Sequence, residues 1–125
     1  MLDGARVAAI LPALDIERAK AFYTEKVGAT PAESSPGGTS FVIGETGFAL
    51  YPTQNPNRGG HTQMGIQVKD VNAAVRELRG RGVTFEEYDM PGLKTVGGIA
   101  DTPAGRGAWF KDTEGNIIGI LEVRR

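Results

Sequence analysis

The sequence predicts an α+β protein in which one strand–helix–three-strand unit is used twice. Three observations carry this. Asp15 and Asp70, 55 positions apart, each stand just before an apolar stripe at helical spacing. Each stripe follows a strand-like apolar run and precedes several short β-branched or aromatic runs, separated by turns rich in glycine. Between the two lies Pro52 to Gly60, PTQNPNRGG, which has no periodicity and reads as a connection. A repeat of this kind makes each unit half of one shared core. The alternative, a ferredoxin-like α+β domain, leaves the third sheet strand of each unit over.

In order along the chain, Arg6 to Ala13 reads as a strand. Asp15 offers an N-cap, with Glu17 in the first turn where the helix dipole favours negative charge. Ile16, Ala19, Phe22, Tyr23 and Val27 recur at helical spacing, and Gly28 is a C-terminal stop. Ala29 to Ser34 is a weak strand because of Pro31. Thr39 to Ile43 and Phe48 to Tyr51 flank the turn Gly44-Glu45-Thr46-Gly47. The order then restarts with a strand over His61 to Val68, the N-cap Asp70, and the stripe Val71, Ala74, Val75, Leu78 ending at Gly80 and Gly82. Val83 to Tyr88 and Thr95 to Ala100 are expected strands. Ala108 to Phe110 and Ile117 to Leu121 close the unit as a hairpin around Lys111-Asp112-Thr113-Glu114-Gly115-Asn116. The expected divisions are a first module over 1–54, a connection over 55–60 and a second module over 61–125.

Bulk properties narrow the function. At 125 residues, 40% hydrophobic and 23% charged, the chain can build one sizeable core and not two independent ones. A net charge of −1 gives no pull towards nucleic acid or anionic membrane, so neither is an expected partner. The absence of cysteine excludes disulfides, thiolate catalysis and cysteine-ligated metals. The apolar run Val7 to Leu11 is too short to span a membrane and lacks a signal-peptide layout, so a soluble, cytoplasmic protein is expected. There is no GxSxG, no P-loop and no GxGxxG opening a helix after a strand.

Two stretches carry a family resemblance. Leu14-Asp15-Ile16-Glu17-Arg18-Ala19 with Phe22-Tyr23 and Val27-Gly28, and Phe110-Lys111-Asp112-Thr113-Glu114-Gly115-Asn116 before an apolar strand, resemble the opening and closing segments of the vicinal oxygen chelate superfamily. That superfamily includes glyoxalase I, bleomycin-resistance proteins, fosfomycin-resistance enzymes and extradiol dioxygenases. The resemblance implies two βαβββ modules whose sheets curl into a U around a cleft, with the helices outside. It also implies four inward-facing positions that hold a divalent ion in metal-dependent members. Here they fall on Ala9, Gln63, Gly119 and Leu50, or Tyr51 in the neighbouring register. Ala, Leu and Gly offer no side-chain donor and Gln is a poor ligand for a transition metal. No metal or other cofactor is therefore expected.

A metal-free cleft points to binding of a small organic molecule by aromatic and polar side chains. The candidates are Trp109, Tyr51, Phe41 and Gln63, with either Trp109 or Phe110 turned inward. The competing reading is that these side chains simply fill the cleft. His61 is either a ligand or base at the cleft rim or an exposed residue of the connection, and with no second His or Cys the latter is favoured. Glu122 is at odd parity from Gly119 and is expected to face away. Phe85 to Asp89 reads as a charged edge strand, and Pro91 to Gly98 as a loop or flap. The leading expectation is a metal-independent small-molecule-binding protein with a sequestration or resistance role. The alternative is a lyase, isomerase or dioxygenase of the glyoxalase or extradiol type with an atypical ligand set. A homodimer is also expected, because open sheet edges are normally paired or covered and the family pairs its modules across a two-fold axis.

Overall fold

The computed structural model describes residues 2–54 and 60–123. Most of the expected connection, 55–59, and the tail Arg124-Arg125 lie outside the described residues. Two open mixed sheets form, each drawn from one half of the chain. The first runs β1 (Ala9–Ala13), β4 (Thr46–Pro52), β3 (Gly38–Ile43), β2 (Thr30–Ser35) in spatial order. The second runs β5 (Thr62–Gln67), β10 (Ile117–Val123), β9 (Gly105–Lys111), β8 (Ile99–Thr102), β7 (Leu93–Val96), β6 (Asp89–Met90). In both, the first strand pairs parallel with the last, β1 with β4 and β5 with β10, while the other pairings are antiparallel. The α+β repeat is thus realised as two mixed sheets with helices on one side, βαβββ in the first half and with five strands after the helix in the second.

The helices form where the caps place them. Asp15 Oδ1 accepts the Arg18 N–H at 3.0 Å, and Asp70 Oδ1 accepts the Ala73 N–H at 3.1 Å. Helix α1 (Ile16–Phe22) continues as a π-helical turn over Tyr23–Val27. It stops at Gly28, whose φ of 83° is left-handed, and a Cβ there would lie 2.6 Å from the Arg81 guanidinium. Helix α2 spans Val71–Gly80 and buries Val71, Val75 and Leu78.

Strand alternation divides each sheet into a helix-covered face and an open face. In the first sheet Leu11, Ala13, Phe41, Phe48 and Leu50 pack beneath Ala19 and Tyr23. In the second, Ala108, Phe110, Ile118 and Ile120 join Val71, Val75 and Leu78. The open face of the first sheet leaves Ile10 63% and Tyr51 40% exposed, although both are large and apolar.

Two strand expectations are corrected. Val83 to Tyr88 is not a regular strand: among these residues only Phe85 makes a bridge, to Phe110. Thr95 competes for its polar groups, as its Oγ1 donates to Glu87 Oε1 at 2.6 Å and accepts the Tyr88 N–H at 2.7 Å. Thr95 to Ala100 is not one strand but two, β7 and β8, reversed at Gly97-Gly98 with φ of 60° and 81°.

A buried polar clasp joins the two halves. Tyr23 O–H donates to Asp112 Oδ2 at 2.6 Å, and Asn116 Nδ2 donates to the same oxygen at 2.8 Å and to the Pro12 carbonyl at 3.0 Å. Asp112 Oδ1 accepts the N–H groups of Glu114 and Asn116, closing the β9–β10 turn. Glu114 then reaches α1, accepting the Asp15 N–H at 2.8 Å and the Arg18 Nε–H at 2.8 Å. Burial alone pushes the Glu114 carboxyl up, but hydrogen bonds from Arg18, Asp15 and Thr113, with the Arg18 charge, outweigh it and hold it at about 2 against an ordinary value of 4.5. Because the folded value is depressed, this contact stabilises above the unfolded value and is lost as pH falls from about 4.5 through about 2. Urea midpoints measured from pH 6 down to 2.5 should therefore fall more steeply over that window for wild type than for Glu114→Gln. Equal slopes would rule the clasp out as an acid-sensitive element.

Candidate functional site

The open face of the second sheet is shaped by glycines. β9 and β10 pair so that Gly119 lies opposite Trp109 and Leu121 opposite Gly107. β5 brings Gly65 beside Gly119. Three glycines thus lie close together on one face, and side chains from adjacent positions fold into the space. A Cβ at Gly119 would stand 3.1 Å from the indole Nε1 of Trp109, and one at Gly107 would stand 3.1 Å from its Cη2. The indole therefore lies along the sheet, seated over both residues. At Gly65 a Cβ would meet Leu121 Cδ1 at 2.9 Å. Tyr88 meets the indole edge-to-face, with centroids 5.9 Å apart. Trp109, Leu121, Leu93 and Gly107 help to line a cavity of roughly 240 Å³.

Of the two hairpin aromatics left open by sequence parity, Trp109 is on the open face. Phe110 is fully buried on the helix side, against Phe22 and Phe85. Tyr51 also lies on an open face, but that of the first sheet, where with Ile10, Ser40 and Ala49 it lines a separate cavity of roughly 500 Å³. No described cavity holds both Tyr51 and Trp109.

Phe41 is corrected: it does not line an open face. It is 1% exposed, stacks on Phe48 at 5.4 Å and packs at 6.2 Å from Tyr23. The reason is parity, since Phe41 pairs with Phe48 and both point beneath α1. Gln63 shares its side of β5 with Gly65 and Gln67, opposite the core-packed Met64 and Ile66. Its amide hydrogen-bonds the His61 ring at 3.0 Å, and His61 is exposed. Glu122 turns to the helix side, where its Oε1 accepts the Val71 N–H at 2.9 Å. The largest described cavity, roughly 790 Å³, opens where β1 and β5 approach and contains none of the aromatic candidates.

The metal positions implied by the resemblance are corrected in the first sheet. Ala9 packs against the core and Leu50 is fully buried on the helix side, because β1 and β4 keep Leu11 and Leu50 in register beneath α1. The open face carries Ile10 and Tyr51 instead. In the second sheet Gln63 and Gly119 do face the open side, but neither supplies an imidazole or carboxylate. Among the described residues no group of three or more His, Asp or Glu is placed to hold a metal. The donor set does not fit the divalent ion that metal-dependent members bind.

Sequence reasoning missed Gly107, Leu121, Leu93 and Tyr88 as neighbours of Trp109. The period-two pairs Gly107-x-Trp109 and Gly119-x-Leu121 were the available signal, since i and i+2 share a strand face.

The repeat, the paired mixed sheets and the open faces together define a protein of two βαβββ-type halves. The family model of the Glyoxalase/Bleomycin resistance protein/Dioxygenase superfamily matches residues 6–120, and the chain belongs to that superfamily. Solved structures share the fold. The bleomycin-binding protein from bleomycin-producing Streptomyces verticillus, complexed with copper(II)-bleomycin, is 21% identical, with a TM-score of 0.77 over 99% of this chain and 100% of that one. TnmS3, an antibiotic binding protein from Streptomyces sp. CB03234, is 27% identical, with a TM-score of 0.70 over 97% and 98%. Lactoylglutathione lyase from Agrobacterium tumefaciens is 18% identical, with a TM-score of 0.70 over 95% and 93%. No curated protein matches the chain at a significant level. Among the described residues no helix is long and apolar enough to cross a membrane.

Proposed function

We propose that this protein binds a small organic molecule without a metal, in a sequestering or resistance role. The observation that carries this is the Trp109 indole, laid along an open sheet face over Gly107 and Gly119 and walling a cavity. A seated aromatic ring beside a mostly apolar hollow is suited to stacking a ligand. Trp109, Tyr51 and Gln63 are the proposed binding residues. An antibiotic binding protein among the neighbours is in line with a binding role. The test is native mass spectrometry of protein taken fresh from its host. The expected result is an added mass of a small molecule, displaced on denaturation. A stoichiometric transition metal, lost in His61→Ala, would instead favour the enzyme reading.

The site is proposed to be shared in a homodimer. Tyr51 and Trp109 line different cavities on different sheets, and Ile10 and Tyr51 stand exposed on an uncovered face. An isologous second copy would lay the first sheet's open face over the second's, giving two equivalent composite sites. Light scattering at micromolar concentration should give twice the chain mass of 13.3 kDa. A mass equal to one chain would refute the shared site.

A further inference from the structure

The geometry points to a specific ligand class for the Trp109 cavity: a planar, uncharged aromatic ring system, its depth set by Gly107 and Gly119. This rests on the binding reading above and narrows it.

Planarity follows from how the indole is held. Its underside is occupied by the sheet, since the Gly119 and Gly107 positions lie within van der Waals reach of it. Tyr88 packs T-shaped against it, so the ring is held from two directions, and the indole is among the residues that line the cavity. Leu93 and Leu121 stand beside it. A flat ring on the indole gains stacking and apolar burial at once, whereas a bulky non-planar group gains only the second.

The charge preference follows from where the two ionised residues at the cavity turn their side chains, which is to the helix side and away from the indole. Arg106 and Glu122 lie opposite each other on β9 and β10. Both are already committed to the first turn of α2. Arg106 donates to Asn72 Oδ1 at 3.2 Å, and Glu122 Oε1 accepts the Val71 N–H at 2.9 Å. Recruiting either to a ligand would break its contact with α2. A cation or an anion brought into the cavity would therefore lose water without a ready counter-charge, which is unfavourable. A neutral ring avoids that loss.

The depth argument assigns the two glycines a role. Neither has a φ in the left-handed region, so the backbone accepts alanine at both positions. What alanine changes is the seat: a Cβ at 3.1 Å from Nε1 or from Cη2 is a tight contact, and the indole must give by a few tenths of an ångström to admit it. Gly107 and Gly119 thus determine specificity by keeping the indole down.

The test uses the full-length protein and three planar tricyclic probes of similar size: 9-fluorenone (neutral), 9-fluorenone-4-carboxylate (anionic) and proflavine (cationic). Binding is followed by quenching of the single tryptophan. Fluorenone should bind about tenfold more tightly than either charged probe. Gly119→Ala and Gly107→Ala should each shift the unliganded emission and weaken fluorenone binding by about fivefold or more. Two variants are used so that failure of one to fold leaves the other to decide, with circular dichroism confirming the fold. If a charged probe binds as tightly as fluorenone, or both glycine variants bind it as wild type does, the assignment of ligand class is overturned while the binding reading stands. If no probe quenches the tryptophan and host-derived protein carries no added mass, the binding reading falls and this inference with it.

Discussion

Asp112→Ala is expected to destabilise the folded protein by about 3–5 kcal/mol. The Asp112 side chain is at the centre of the clasp, only 6% of the residue being exposed. Its two oxygens accept four hydrogen bonds, from Tyr23 O–H, Asn116 Nδ2–H and the backbone N–H groups of Glu114 and Asn116. Truncation removes all four and leaves buried donors, among them the Tyr23 hydroxyl, without an acceptor. Each unsatisfied buried donor costs about 1–3 kcal/mol, less whatever water restores in the space vacated. Burial and the neighbouring Asp112 and Glu114 also push the Tyr23 hydroxyl far above its ordinary pKa, so it stays a donor at every accessible pH. Tyr23→Phe removes only one bond and should destabilise by about 1–3 kcal/mol. Urea unfolding with an unchanged m-value measures both. An Asp112→Ala effect below that of Tyr23→Phe would show that the turn does not hold the two halves together.

Trp109→Ala should weaken ligand binding by about 2 kcal/mol or more, close to thirtyfold, the range of a buried aromatic hot spot. Folding stability should change much less than for Phe110→Ala. Trp109 is partly exposed on the open face, whereas Phe110 is fully buried, contacts Phe22 and Phe85, and should lose about 3–5 kcal/mol on truncation. Gln63→Ala should weaken binding by only about 0.5–1.5 kcal/mol, one hydrogen bond's worth. Calorimetric titration of the host-derived ligand against the three variants separates these effects. Unchanged affinity in Trp109→Ala would remove the indole from the site.

Much of the fold was legible because it is written in local signals. Asp15 and Asp70 cap helices through their own side chains, and the apolar stripes after them need only a 3.6-residue period to be recognised. Gly28 and the DTEGN turn mark ends that any backbone would need. Strand existence was less legible where side chains compete with the ladder. Thr95 Oγ1 takes the Tyr88 N–H in place of a backbone carbonyl, and the run from Val83 to Tyr88 has one bridge, at Phe85. Family membership was legible for the same reason as the helices, since its segments are the caps and turns themselves.

The site was read less completely, and the reason is parity. A one-residue shift along a strand exchanges the two faces. Phe41 and Leu50 look like cleft residues in sequence, yet their pairing with Phe48 and Leu11 turns them beneath α1. The sequence by itself determined the repeat, the caps and the closing turn, because residue type and short-range spacing suffice for each. Only the tertiary structure decided which aromatic faces outward, that Gly107 and Gly119 together seat the indole, and that Tyr51 and Trp109 line separate hollows. Those facts depend on register between strands and on which sheet face the helices cover, and neither is encoded in any single strand.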